Sequence, residues 1–222
     1  MTLVDQLYQT FTEHRKPEQV EAMENYMKNN FRFLGLKTDS RRSLFTTWFK
    51  QHESAIRADF RAIAKMLFNQ PYRELQYCGM EVLLGCFKKN YQKEDIELIE
   101  YFLVTNAWWD SVDPVAKYLL GGYLLAFPEE KSAVIERFSA ADHLWLNRSA
   151  IIFQLSYKAK TDFDVLKAEC YKHKDSKEFF IQKAIGWALR DYSRFNPEGV
   201  RTFVENTDLK PLSKREALRN LP

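Results

Sequence analysis

The stretch Lys183-Ala184-Ile185-Gly186-Trp187-Ala188-Leu189-Arg190-Asp191-Tyr192-Ser193-Arg194 decides the fold. Ile185, Ala188, Leu189 and Tyr192 recur at helical spacing and can face a core. Lys183, Trp187, Arg190 and Arg194, at i, i+4, i+7 and i+11, run along another face. Ala184 also belongs to a longer pattern. Ala116, Ala150 and Ala184 lie 34 residues apart, each early in a long helical segment, and Leu119, Phe153 and Trp187 follow them at an offset of three. Val82 and Gly85 stand one period earlier as a poorer match. Helical repeats of about 34–45 residues are the signature of TPR, HEAT and armadillo arrays. The TPR consensus is missing, so the expectation is an all-α, HEAT-like helical repeat solenoid of stacked antiparallel helix pairs. Its concave face would suit an extended partner such as a duplex. The competing explanation is chance similarity between amphipathic helices.

The rest of the chain agrees with a helical protein. Sustained period-2 alternation is absent, and helices are predicted at roughly 2–14, 17–30, 39–51, 53–69, 71–89, 94–104 and 108–127. They continue at roughly 129–138, 142–158, 162–173, 176–195, 197–206 and 211–221. Pro17, Pro71, Pro128, Pro197 and Pro211 fall near helix starts, where a missing N–H does little harm, and Thr38-Asp39-Ser40 and Asp175-Ser176 are N-cap material. Connections are short and no Ser/Gly-rich linker interrupts them, so residues 1–222 read as a single domain.

Composition narrows the function. With 45% hydrophobic and 28% charged residues, the 222-residue chain has the balance of a folded protein. No apolar run approaches the roughly 20 residues that span a bilayer, and Met1–Arg15 is a mixed-charge amphipathic segment unlike a signal peptide. A cytoplasmic protein with no membrane partner is expected. Cys78, Cys86 and Cys170 fit neither a disulfide framework nor a zinc site, and His14, His52, His143 and His173 are scattered. No metal and no small-molecule cofactor is expected. The net charge of +3 is too small to diagnose nucleic-acid binding, and permits it if the cations share one face.

Three places could carry chemistry. The stripe Lys183, Trp187, Arg190, Arg194 can hold phosphates while offering a flat ring to a base or sugar. Beside this stands a solvated face with Trp187 partly buried against the next repeat. In Trp108-Trp109-Asp110-Ser111-Val112-Asp113, Trp109 and Asp113 are four apart and can share a face. An indole beside a carboxylate suits the recognition and departure of a cationic group. Asp113-Pro114 reads equally as an N-cap followed by proline at the first helical position; Trp108 reads as core. Arg148 follows Asp113 by 35 residues, so stacking of like positions makes the two neighbours, with Trp187 one repeat further on. Here the bland reading is an ordinary salt bridge between repeats.

Longer motifs then make the likeness specific. They are Tyr26-Met27-Lys28-Asn29, Phe33-Leu34-Gly35-Leu36 before Arg41-Arg42, Trp108 through Asp113, Leu144-Trp145-Leu146 with Arg148, and Phe153-Gln154-Leu155. Ser176-Lys177-Glu178-Phe179-Phe180-Ile181-Gln182 runs on into the Lys183–Arg190 segment, and Pro211-Leu212-Ser213-Lys214-Arg215-Glu216-Ala217 follows. Through them the chain resembles, over nearly its whole length, the bacterial DNA alkylation repair family of AlkD-type, HEAT-like alkylpurine DNA glycosylases. The resemblance departs at Pro114 and at Lys37, a position often polar and uncharged.

That resemblance implies a monofunctional glycosylase acting in base excision repair. It would hydrolyse the N-glycosidic bond of cationic N3- or N7-alkylated purines in double-stranded DNA, as a monomer that associates with the nucleoid when bound. It implies Asp113 as the catalytic carboxylate, Trp109 and Trp187 as contacts to the lesion nucleotide, Arg148 at a nearby phosphate and Tyr26 as a further aromatic contact. Lys183, Arg190 and Arg194 complete the expected DNA-binding set. No lysine lies within the Trp109–Asp113 motif, so a Schiff-base lyase step is not indicated. A catalytically silent HEAT-like scaffold that binds DNA or protein fits the helices and the period equally well. What separates the two is the joint presence of Trp109, Asp113, Arg148 and Trp187.

Overall fold

The structure, a computed structural model, describes residues 1–88, 90–219 and 221. Two compact units divide the chain, Met1–Asn90 and Tyr91–Pro222. Both are helical. No β-strand forms among the described residues, and the one isolated bridge pairs Arg32 with Tyr72. No helix is long and apolar enough to cross a membrane among those residues.

The first unit holds α1 (Leu3–Glu13), α2 (Pro17–Tyr26), α3 (Thr38–Gln51), α4 (Glu53–Ala58), α5 (Phe60–Phe68) and α6 (Arg73–Phe87). The helix predicted over 53–69 is broken at Asp59, and that over 17–30 stops at Tyr26, where Lys28 and Asn29 turn into positive φ. A buried carboxylate organises the next loop. Leu34, Gly35 and Leu36 each donate a backbone N–H to Glu74 Oε1 at 3.0–3.1 Å. Gly35 sits at φ 86°, and a Cβ there would lie 2.0 Å from the Lys16 carbonyl oxygen, so only glycine fits.

The second unit holds α7 (Asp95–Val104), α8 (Trp109–Pro114), α9 (Gly121–Ala126), α10 (Lys131–Ala140), α11 (Leu144–Ile152) and α12 (Phe163–Lys172). It closes with α13 (Phe179–Tyr192), α14 (Pro197–Glu205) and α15 (Pro211–Leu218). The repeat is visible here: α8, α11, α13 and α15 pack in series. Ala116, Ala150 and Ala184 are fully buried where these helices meet their neighbours, as are Leu119 and Phe153. Trp187, their periodic equivalent, is only half-buried.

Prolines sort as predicted at four starts: Pro17, Pro128, Pro197 and Pro211 occupy the first position of a helical turn. Pro114 does not. It lies inside a helix that runs from α8 through a π-helical stretch, Val115–Leu120, into α9. Proline offers no N–H to the carbonyl four residues back, that of Asp110, and the wider π turn follows this gap. The N-cap reading of Asp113 is thereby corrected, because Asp113 belongs to the last turn of α8. The helix predicted from 176 likewise begins at Phe179, with the Ser176 hydroxyl accepting the Glu178 N–H at 3.2 Å. Cys78, Cys86 and Cys170 are buried free thiols.

Candidate functional site

Asp113 and Arg148 meet as their spacing predicts. Arg148 Nε donates to Asp113 Oδ1 at 2.7 Å and Nη2 donates to Oδ2 at 2.8 Å, a bidentate pair across α8 and α11. A third donor, Nη1, reaches the Phe180 carbonyl at 2.6 Å, so one guanidinium ties together three successive repeat helices. Asp113 and Arg148 stand 35 residues apart, whereas the α13 partner, the Phe180 carbonyl, comes 32 residues after Arg148. The arginine side chain is 6% exposed and the aspartate 17% exposed. The bland salt bridge between repeats is therefore real, and it is a buried one.

Burial pushes the Asp113 carboxyl above its ordinary range, the hydrogen bonds and charge of Arg148 pull it down, and Asp110 pushes it up; the net direction is upward. A carboxylate with a raised pKa is a stronger proton acceptor than an ordinary one. The pair is also fixed in place. Losing one partner of such a buried pair costs about 3–5 kcal/mol, because the other charge is left uncompensated.

An aromatic cluster draws on the same three stretches of chain. Trp108, Trp145 and Phe180 form a cluster with ring centroids 5.0–5.6 Å apart. Trp108, expected in the core, packs on these rings but is only half-buried like Trp109, and its indole Nε1 is buried without an acceptor. Phe179, 5.4 Å from Phe180, is largely exposed. Trp109, first residue of α8, is half-buried one turn before Asp113, and Trp187 is half-buried on α13. Ser111 anchors the start of α8 by donating to the Trp108 carbonyl and accepting the Trp108 N–H.

The cation stripe of α13 divides. Lys183 and Arg190 both pair with Glu216 of α15, at 3.1 Å and 2.6 Å. Ile185, Ala188 and Leu189 are buried as the pattern requires, and Tyr192 packs on Phe163 at 4.8 Å. α13 ends at Tyr192, so Arg194 lies beyond the helix rather than on its face, and it is exposed. Tyr26, 69% exposed at the end of α2, belongs to the other unit. Sequence reasoning missed Glu216 as a partner. Its only signal was its place in the Pro211–Ala217 segment, one repeat after Lys183.

No group of three or more histidine, cysteine, aspartate or glutamate side chains that could hold a metal ion occurs among the described residues. Residues 7–221 match the family model described as DNA alkylation repair enzyme. Among solved structures the chain is similar to a predicted DNA alkylation repair enzyme from Enterococcus faecalis. The two share 31% identity with a TM-score of 0.85, over 93% of this chain and 96% of that one. No curated protein matches.

Proposed function

The chain belongs to the DNA alkylation repair enzyme family, and from that premise we propose that it is a monofunctional DNA glycosylase for cationic N3- and N7-alkylated purines. The observation that carries this reading is the buried, bidentate Asp113–Arg148 pair, one helical turn after Trp109. Alkylation makes the purine positive. When the glycosidic C–N bond breaks, its electron pair neutralises the base, and positive charge moves to the sugar. Asp113 stabilises that charge and takes the proton of the water that attacks the sugar carbon. The indoles of Trp109 and Trp187 add attraction to cationic sugar or base, on the order of 0.5–2 kcal/mol each. Arg148 acts through Asp113, holding both oxygens, and its remaining N–H donors serve a phosphate nearby. Lys183, Arg190, Arg194 and Tyr26 complete the contact to double-stranded DNA.

This set lacks a second acid to protonate a neutral leaving group, which sets the test. Duplexes differing only in the lesion are compared under single-turnover conditions. Release of N7-methylguanine with no comparable release of uracil is the expected result. Equal excision of both would defeat the mechanism. Binding of alkylated duplex without release of any base would leave a silent DNA-binding scaffold.

A further inference from the structure

Lys183 and Arg190 lie seven residues apart on one face of α13, and a single acid holds both. Glu216 Oε1 lies 3.1 Å from Lys183 Nζ, and Glu216 Oε2 accepts from Arg190 Nη1 at 2.6 Å. The same Nη1 also donates to the Glu216 backbone carbonyl at 3.2 Å. The glutamate is the least exposed of the three: its side chain is 10% exposed, against 36% for Lys183 and 20% for Arg190.

Its position is set by backbone. Gly186 lies between the two cations in sequence, and a Cβ there would stand 2.4 Å from Glu216 Cβ and 2.9 Å from the Ser213 carbonyl oxygen. Ser213 donates its hydroxyl to the Gln182 carbonyl at 3.0 Å. α15 is thus pressed against α13 at the height of the two cations. Arg190 and Lys183, in that order, hold the Glu216 carboxyl below its ordinary range, so it stays an anion near neutral pH. Arg190 commits only Nη1 to this contact, so the Glu216 pair does not use up the donors of its guanidinium.

We infer that Glu216 is a positioning residue of the DNA-binding face: it orders Lys183 and Arg190 and cancels about one of their two charges toward any phosphate backbone. The inference rests on the function proposed above. Affinity for undamaged duplex comes mainly from cations that displace counterions, so a carboxylate fixed between two of them weakens the hold on ordinary DNA. The benefit falls on the search, because a chain that leaves undamaged DNA sooner samples more sites.

The test measures binding to an undamaged duplex across a salt series for the wild type, Glu216→Gln and Glu216→Asp. Gln keeps the size of Glu and removes the charge. Glu216→Gln is expected to bind several-fold more tightly at about 50 mM salt, with a log–log salt slope steeper by about one charge. Glu216→Asp should keep the wild-type slope, which a merely structural role for the side-chain length would not predict. The same change is read a second time by comparing Lys183→Gln with the Lys183→Gln, Glu216→Gln double variant, should the single variant fail to fold. A folded Glu216→Gln protein with unchanged or weaker binding and an unchanged slope overturns the inference while leaving the glycosylase reading intact. A wild-type chain that binds no duplex at any salt overturns both.

Discussion

Both oxygens of Asp113 are held by Arg148, so its charge and its direction can be separated by substitution. Asp113→Asn keeps an acceptor for Arg148 and removes the charge. Single-turnover excision is expected to fall about 10²–10³-fold, the scale of lost electrostatic stabilisation at a reacting centre, with little change in duplex affinity. Unchanged excision by the folded variant would reduce Asp113 to a structural residue. Arg148→Ala makes a different prediction. Burial already raises the Asp113 pKa and Arg148 opposes that rise. Removing the guanidinium raises it further, so the acid limb of the pH–rate profile should move to higher pH. A profile that keeps its position while the rate falls would assign Arg148 to phosphate alone. The partnership of these two residues was legible in the sequence, because a 35-residue interval matches the repeat. That three Arg148 donors are engaged within the protein was not, since the Phe180 carbonyl comes from backbone and leaves no mark on residue type.

Helices α13 and α15 show how the elements carry the site. Their contact depends on Gly186, where any Cβ collides with Glu216 Cβ and with the Ser213 carbonyl. Gly186→Ala is therefore expected to destabilise the chain by about 1–3 kcal/mol through overpacking, despite the better helix propensity of alanine. Thermal unfolding reads the loss, and an unchanged or raised midpoint would show that α15 shifts freely. The helix periods and most starts were legible, because apolar spacing and first-turn prolines act locally. The course of the chain at Pro114 was not. Asp before Pro satisfies the local rule for a helix start, yet the helix beginning at Trp109 continues past it through a π turn. Packing decides that outcome: Val112, Val115 and Ala116 on either side of the proline are all fully buried, and ending the helix there would expose them. Trp187 is the converse case. The period assigns it the buried place of Leu119 and Phe153, and the structure leaves it half open.

Taken whole, the molecule carries a net charge of only +3, so strong attraction to DNA must come from a few placed cations. Of the cations proposed to meet DNA, Arg148, Lys183, Arg190 and Arg194, the first is paired with Asp113, and Glu216 offsets about one of the next two. A log–log salt slope of about −2 for duplex binding is expected from that balance. A slope near −8, measured by titration over a salt series, would require a far wider contact than these residues provide. The cysteines complete the account. All three thiols are buried, and burial pushes Cys78 up to about 12 and also raises Cys86 and Cys170. The thiolate is the form that attacks electrophiles, and none of these sulfurs forms it readily or meets solvent. A cell under attack by methylating agents damages its purines and its exposed thiols together. This chain would meet such an agent with all three of its thiols shielded, a protection that matters most if it acts on alkylated DNA as proposed above.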